Sequence, residues 1–316
     1  MRHFGTTRLI DLVVAPWVYP SAWLLRNIRK FGVQNFPHSR RALARVGVFP
    51  IRDHYTEPQF DLHHDREWGR ARRLPGIDWN VPEQLALLEQ FTYAKELADV
   101  PRTKRGPLEF FIENGTFGPG DADYLYQIIR LKKPRKIIEI GCGHSTLMAI
   151  KAAKTNLLEN PAHRCEHVCI EPYENPWLED TGVSVIRRKV EELDTSLFTE
   201  LDENDLLFID SSHVIRPEGD VLFEYLEILP LLKRGVIVHV HDIFTPRNYP
   251  AQWLVDWVRL WNEQYLLEAF LSHNRSFKII GALNYLHQRH HEPFAKVTPF
   301  TTPGFEPGSF YIQKVD

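Results

Sequence analysis

The sequence predicts an α/β chain built on a doubly wound, mostly parallel sheet, with an N-terminal accessory region. Two observations carry this. From residue 118 onward, short runs rich in β-branched residues alternate with stretches at helical spacing, the pattern of strands joined by helical crossovers. The run Lys136-Ile-Ile-Glu-Ile140 then ends in Gly141-Cys-Gly143, a strand-to-helix turn of the kind that receives ligands at the carboxyl ends of such sheets.

The elements follow in chain order. Residues 9–25 are apolar but carry Asp11, Pro16 and Pro20, so the run is short for a membrane span, and its prolines should interrupt a helix. No clear cleavage site follows it. Arg26, Arg29, Lys30, Arg40, Arg41 and Arg45 come next. An apolar and aromatic segment beside a basic one suits peripheral contact through residues 9–45 with an anionic membrane, or docking on the domain or on a second subunit of a homo-oligomer. Residues 46–80 mix Pro, Gly, aromatic and polar residues without a period and read as irregular; His54, His63 and His64 there read as surface polar residues. Residues 81–99 predict a helix with Leu85, Leu87, Leu88, Phe91 and Leu97 on its core face. Pro101 to Pro107 reads as a linker, giving an accessory region at 1–104 and a catalytic domain at 105–316.

Asp121 is expected to cap a helix that precedes the first strand. The first strand is Lys136–Ile140, and Ser145 or Thr146 should cap the helix after it. Residues 154–166 read as an added loop. Further strands are expected at His167–Ile170, Val183–Ile186, Asp205–Ile209, Gly235–Val240, Phe277–Ala282 and Phe310–Val315, with helices at Gly219–Leu232 and Pro250–Leu271.

Composition narrows the function. Hydrophobic residues at 43% and charged residues at 25% are ordinary for a soluble globular chain, and a net charge of -3 offers no field for nucleic acid. Three cysteines are too few for a disulfide framework, which points to a reducing cytoplasm.

The chemistry-bearing residues sit at strand ends. Gly141 and Gly143 let the backbone turn sharply against a ligand. A dinucleotide fingerprint would need glycine at position 146, where Thr146 stands, so a nicotinamide oxidoreductase is the weaker alternative. Glu171, closing the second strand, can accept from both hydroxyls of a ribose. Asp210 ends the fourth strand and His213 follows on its loop, where an imidazole suits general-base work. His241 and Asp242 end the fifth strand at the same rim. Phe244, Tyr249 and Trp253, near the same rim, are expected either to stack on a sugar ring or to serve as core or lid residues. A non-catalytic scaffold would not need these residues at one rim.

Glu139-x-Gly141-x-Gly143 resembles the first motif of class I S-adenosylmethionine (SAM) dependent methyltransferases. In the phrases Glu-Ile-Gly-Cys-Gly-His-Ser, Ile-Asp-Ser-Ser-His and Val-His-Asp-Ile-Phe the chain looks like the group called methyltransferase domain 24, over roughly residues 105–316. That resemblance implies a Rossmann-like seven-stranded sheet whose last strand, Phe310–Val315, runs antiparallel. It implies SAM held by Glu139, Gly141, Gly143, Ser145 and Glu171, with Val190 on the purine face and Glu191 accepting from its amine. Asp210-Ser-Ser-His213 looks like the arrangement in metal-dependent sugar O-methyltransferases. There an acidic residue and an adjacent pair, here Asp210, His241 and Asp242, hold Mg²⁺, and the histidine is the base. His241 departs from that pattern, which leaves room for Mn²⁺. The expected acceptor is a sugar, glycan or glycosylated metabolite.

Overall fold

The computed structural model of the 316-residue chain describes residues 3–54, 56–58, 67–302 and 304–316, with side chains from residue 7 onward. His63 and His64 fall outside the described residues, and His54 is half-buried, with its Nδ1 2.7 Å from Thr56 Oγ1. The chain divides into two compact units, Met1–Arg66 with Leu254–Leu260, and Glu67–Trp253 with Trp261–Asp316.

In the first unit, helix α1 (His3–Lys30) runs through Pro16 and Pro20 without a break, contrary to the expected interruption. Each proline removes one backbone donor, and the rest of this long ladder holds. A short turn leads to α2 (Pro37–Val46), which starts on the proline that suits a first helical position and stops at left-handed Gly47.

The second unit is a seven-stranded sheet with helices on both faces. After α3 (Val81–Gln90) and α4 (Asp121–Lys132) come β1 (Lys136–Ile140), α5 (His144–Glu159), β2 (Glu166–Ile170), β3 (Ser184–Ile186), α6 (Ser196–Thr199) and β4 (Leu206–Ile209). Then follow α7 (Asp220–Phe223), β5 (Ile237–Val240), α8 (Glu263–Leu271), β6 (Phe277–Ala282), α9 (Leu283–Arg289), α10 (His291–Val297) and β7 (Phe310–Lys314). The strand order is β3-β2-β1-β4-β5-β7-β6. β1 to β5 are parallel, and β7 runs antiparallel to both β5 and β6. This is the Rossmann-like, doubly wound arrangement expected, with the antiparallel strand at the chain end that was expected to supply it.

Side chains alternate across each strand, so each face has its own core. Ile137, Leu206 and Phe208 pack with α3, α4, α5 and α10. Ile138, Leu207 and Ile209 pack with the helices after β3, β4 and β5.

Five local expectations change. Residues 67–104 fall in the sheet-bearing unit, so the segment expected as a linker at Pro101–Pro107 lies inside it; α3 lies against β6, and the helix expected to reach residue 99 stops at Gln90. Asp121 does not cap α4; its carboxylate accepts from Ser309 N (2.8 Å) and Gly308 N (3.2 Å), while Asp123 accepts from Gly120 N (2.8 Å). The insertion expected at 154–166 begins as helix, because α5 continues to Glu159, and only the residues between Glu159 and β2 form a loop. The single helix expected over Pro250–Leu271 breaks, and α8 begins only at Glu263, where its first amides take another partner.

Candidate active site

The turn after β1 is clamped between two neighbouring strands. Gly141 N donates to Ile170 O (3.0 Å) and Asp210 N donates to Ile140 O (2.8 Å). Gly141 adopts φ +75°, and a Cβ there would lie 1.8 Å from the Asp210 carbonyl oxygen, so only glycine fits. Thr146 Oγ1 accepts from Gly143 N (3.1 Å), but Ser145 does not cap α5: its hydroxyl donates to Glu139 Oε1 (2.5 Å). Glu139 Oε2 faces His167 Nε2 at 2.9 Å. Burial alone would lower the His167 pKa, but Cys169 and Glu139 raise it to about 10.

A cavity of about 340 Å³ opens at the carboxyl ends of β1 to β4. Of the expected cofactor residues, Gly141, Glu171, Val190 and Glu191 line it, as does Asp210. Glu139, Gly143 and Ser145 are not among the lining residues. The alternation along β1 turns Glu139 to the opposite face from Ile138 and Ile140, so this carboxylate and Ser145 brace the turn from below. Glu171 accepts from Tyr173 N and Glu174 N (2.9 Å each) at one oxygen and from Cys142 N (3.3 Å) at the other. Val190 is buried on a short turn. Arg216, pairing with Asp220 at 3.2 Å, adds a cation to the wall.

Asp210 connects this cavity to a buried acid–base cluster. His213 Nε2 lies 3.1 Å from Asp210 Oδ1 and 3.5 Å from Asp242 Oδ2. Its Nδ1 lies 2.8 Å from Glu263 Oε2, and its ring packs on Trp261 at 4.4 Å. Burial would push the imidazole down, but Asp210, Glu263 and Asp242 hold it well above its ordinary value. For Asp210, burial pushes up, yet His241 and His213 keep the carboxyl below its usual range. His213 and Asp242 both sit in the left-handed region, at φ +60° and +57°, a strained backbone found where structure fixes a functional side chain.

The expected metal trio does not assemble. Ligand atoms of Asp210, His213 and Asp242 lie within 4.8 Å of one another, and His241 is outside this group. His241 instead sits in a buried niche, with Nδ1 3.5 Å from Ser309 Oγ and its ring 5.2 Å from that of Phe117. Burial would lower its pKa, but the nearby carboxylates of Asp242, Asp210 and Asp121 raise it above the ordinary histidine value. Phe244 and Tyr249 are buried, the tyrosine hydroxyl accepting from Gln264 N (3.0 Å), and are core rather than stacking surface.

Sequence reasoning missed Glu263, Trp261 and the Ser212–Asp220 pair, in which Asp220 accepts from Ser212 N (2.9 Å) and Oγ (2.8 Å). Glu263 lies fifty residues from His213 in a stretch that read as mid-helix, so nothing local marked it. Asp220, just after Gly219, carried a readable start-of-helix signal.

Residues 138–243 match the family model described as a methyltransferase domain, methyltransferase domain 24. The matched span contains every residue expected for catalysis, cofactor or metal and ends before Glu263. An uncharacterized protein of Archaeoglobus fulgidus is 32% identical over 136 residues, covering 41% of this chain and 60% of that protein. Among solved structures, an O-methyltransferase from Bacillus cereus in complex with SAH covers 73% of this chain and 91% of its own, at 13% identity and a TM-score of 0.37. A SAM-dependent methyltransferase from Anabaena variabilis covers 76% and 97%, at 15% identity and a TM-score of 0.32. At such scores the fold rests on this chain's own strand order, and the family match supports a methyltransferase domain across the strands that carry the cavity.

Proposed function

We propose that the chain is a SAM-dependent O-methyltransferase acting on a hydroxyl of a sugar, glycan or glycosylated metabolite, with His213 as the base. The observation that carries this reading is the double position of Asp210, which lines the cavity and meets His213 Nε2 at 3.1 Å. Donor pocket and proton acceptor therefore share one carboxylate.

The cavity wall suits the cofactor. Glu171 offers lone pairs to ribose hydroxyls, Gly141 bare backbone, Val190 an apolar face for a purine, and Glu191 an acceptor for its amine. SAM supplies an electrophilic methyl on a sulfonium. The protein must then hold an acceptor oxygen in line with that methyl and remove its proton. An acceptor hydroxyl entering between Asp210 and Asp242 would take over His213 Nε2 as its hydrogen-bond partner. His213 acts once it has lost its proton, and Glu263 fixes which ring nitrogen receives the new one.

A divalent ion would be held by the carboxylates of Asp210 and Asp242, oxygen ligands that suit Mg²⁺ or Mn²⁺, which leaves His213 Nε2 to take the proton. Such an ion would lower the pKa of an acceptor hydroxyl. The proton step is assigned to His213 alone. Free thiols at Cys142, Cys165 and Cys169 support a reducing compartment, the cytoplasm.

Calorimetric titration with S-adenosylhomocysteine, with and without Mg²⁺ or Mn²⁺, tests the cofactor, and methyl transfer to a panel of glycans and catechols tests the acceptor. Binding together with a preference for glycans is expected. Absence of binding under every metal condition would sink the enzyme reading and favour a scaffold; equal turnover on catechols would remove the sugar.

A further inference from the structure

We propose that α1 and the basic segment after it seat this chain on the surface of an anionic phospholipid bilayer. From Leu12 to Leu25 no side chain is charged, and the apolar residues are exposed around the helix: Leu12 is 73% exposed, Trp17 75% and Tyr19 82%. A helix apolar on every side needs an apolar surrounding. Soluble monomers rarely leave so much contiguous apolar surface open to water.

Two features choose a bilayer over a protein partner. The first is charge. Arg26, Lys30, Arg40, Arg41 and Arg45 are all exposed and begin where the uncharged stretch ends. Arg29 is committed elsewhere, to Glu57 at 2.8 Å. Cations clustered at one end of an apolar helix complement anionic headgroups. The second feature is aromatic placement. Trp17, Tyr19 and Trp23 are exposed on the same helix, and amphipathic rings favour the headgroup level.

The same dimensions argue against crossing. No helix among the described residues is long and apolar enough to span a membrane. The uncharged stretch rises roughly 21 Å against a hydrocarbon core of about 30 Å. The helix therefore lies in the interface or dips into one leaflet.

The test is co-sedimentation of the full chain with vesicles of phosphatidylcholine alone or mixed with phosphatidylglycerol. Binding to the mixed vesicles, weakened by high salt, is expected. Charge reversal at Arg40, Arg41 and Arg45 should cut partitioning by more than about a hundredfold, the loss that neutralising three cations would already give. The same three positions changed to lysine should preserve it, which separates charge from folding. The pair V13E and W17E should abolish binding with an unchanged circular dichroism spectrum. Two results would overturn the proposal: equal binding to neutral vesicles that charge reversal leaves intact, or no vesicle binding with concentration-dependent self-association removed by V13E and W17E. The second would make the face an interface between copies of this chain.

Discussion

Replacing Gly141 with alanine tests the core of the site without assuming any substrate. The new methyl group would lie 1.8 Å from the Asp210 carbonyl oxygen, far inside contact distance, and that oxygen belongs to backbone held by the Asp210 N to Ile140 O bond at 2.8 Å. Left-handed backbone at alanine costs about 1–2 kcal/mol. Forcing a methyl into packed surroundings adds about 1–3 kcal/mol. The expected loss is about 2–5 kcal/mol, read as a lower urea midpoint at unchanged slope. Relief requires Asp210 to move away from β1, which breaks its 3.1 Å contact with His213. A displacement near 1 Å at a reacting centre costs on the order of 100-fold in rate. Turnover should therefore fall further than S-adenosylhomocysteine binding. An alanine variant with wild-type urea midpoint, binding and turnover would refute the clamped turn.

Three further outcomes follow from the site. His213→Asn should lower kcat on the order of 100-fold to 10,000-fold while calorimetry shows unchanged S-adenosylhomocysteine affinity. If His213 is the base proposed, the wild-type rate should rise with pH through a pKa above the ordinary histidine value, since an imidazole raised by carboxylates must first lose its proton. Glu263→Gln removes one of those carboxylates, so the acid limb should move to lower pH; a pH–rate profile that stays in place would deny Glu263 its hold on His213. Glu171→Ala should weaken S-adenosylhomocysteine binding on the order of 10-fold to 100-fold, the worth of losing charge-assisted hydrogen bonds to a ribose, and equal affinity would place the ribose elsewhere.

The sheet was legible because its information is local. Lys136–Ile140 is an uninterrupted buried strand, and its apolar run and glycine turn say so without help from the rest of the chain. The same holds for Asp210, which ends a strand apolar on both faces. What was not legible depends on tertiary partners. Ser145 looks like a cap and instead braces Glu139; His241 looks like a ligand, but its Nε2 stops 3.7 Å from Asp242 while its Nδ1 faces Ser309. A residue type shows what a side chain can do, and only the fold decides which neighbour it does it with. Glu263 shows the converse, a residue with no local signature made important by a contact across the sheet's rim.

The start of α8 takes hold of His213 twice. Asn262 N and Glu263 N both donate to the His213 carbonyl (2.9 and 3.2 Å), while the Glu263 side chain holds the ring. Backbone and imidazole are both fastened to the start of α8, so a swing of the histidine would disturb the first turn of that helix. Motion at this centre must therefore belong to the guest. Under the function proposed above, selectivity would be exercised by how well an acceptor inserts itself into this frame, and variants that loosen the Asn262–Glu263 turn should widen the range of acceptors as they slow the reaction.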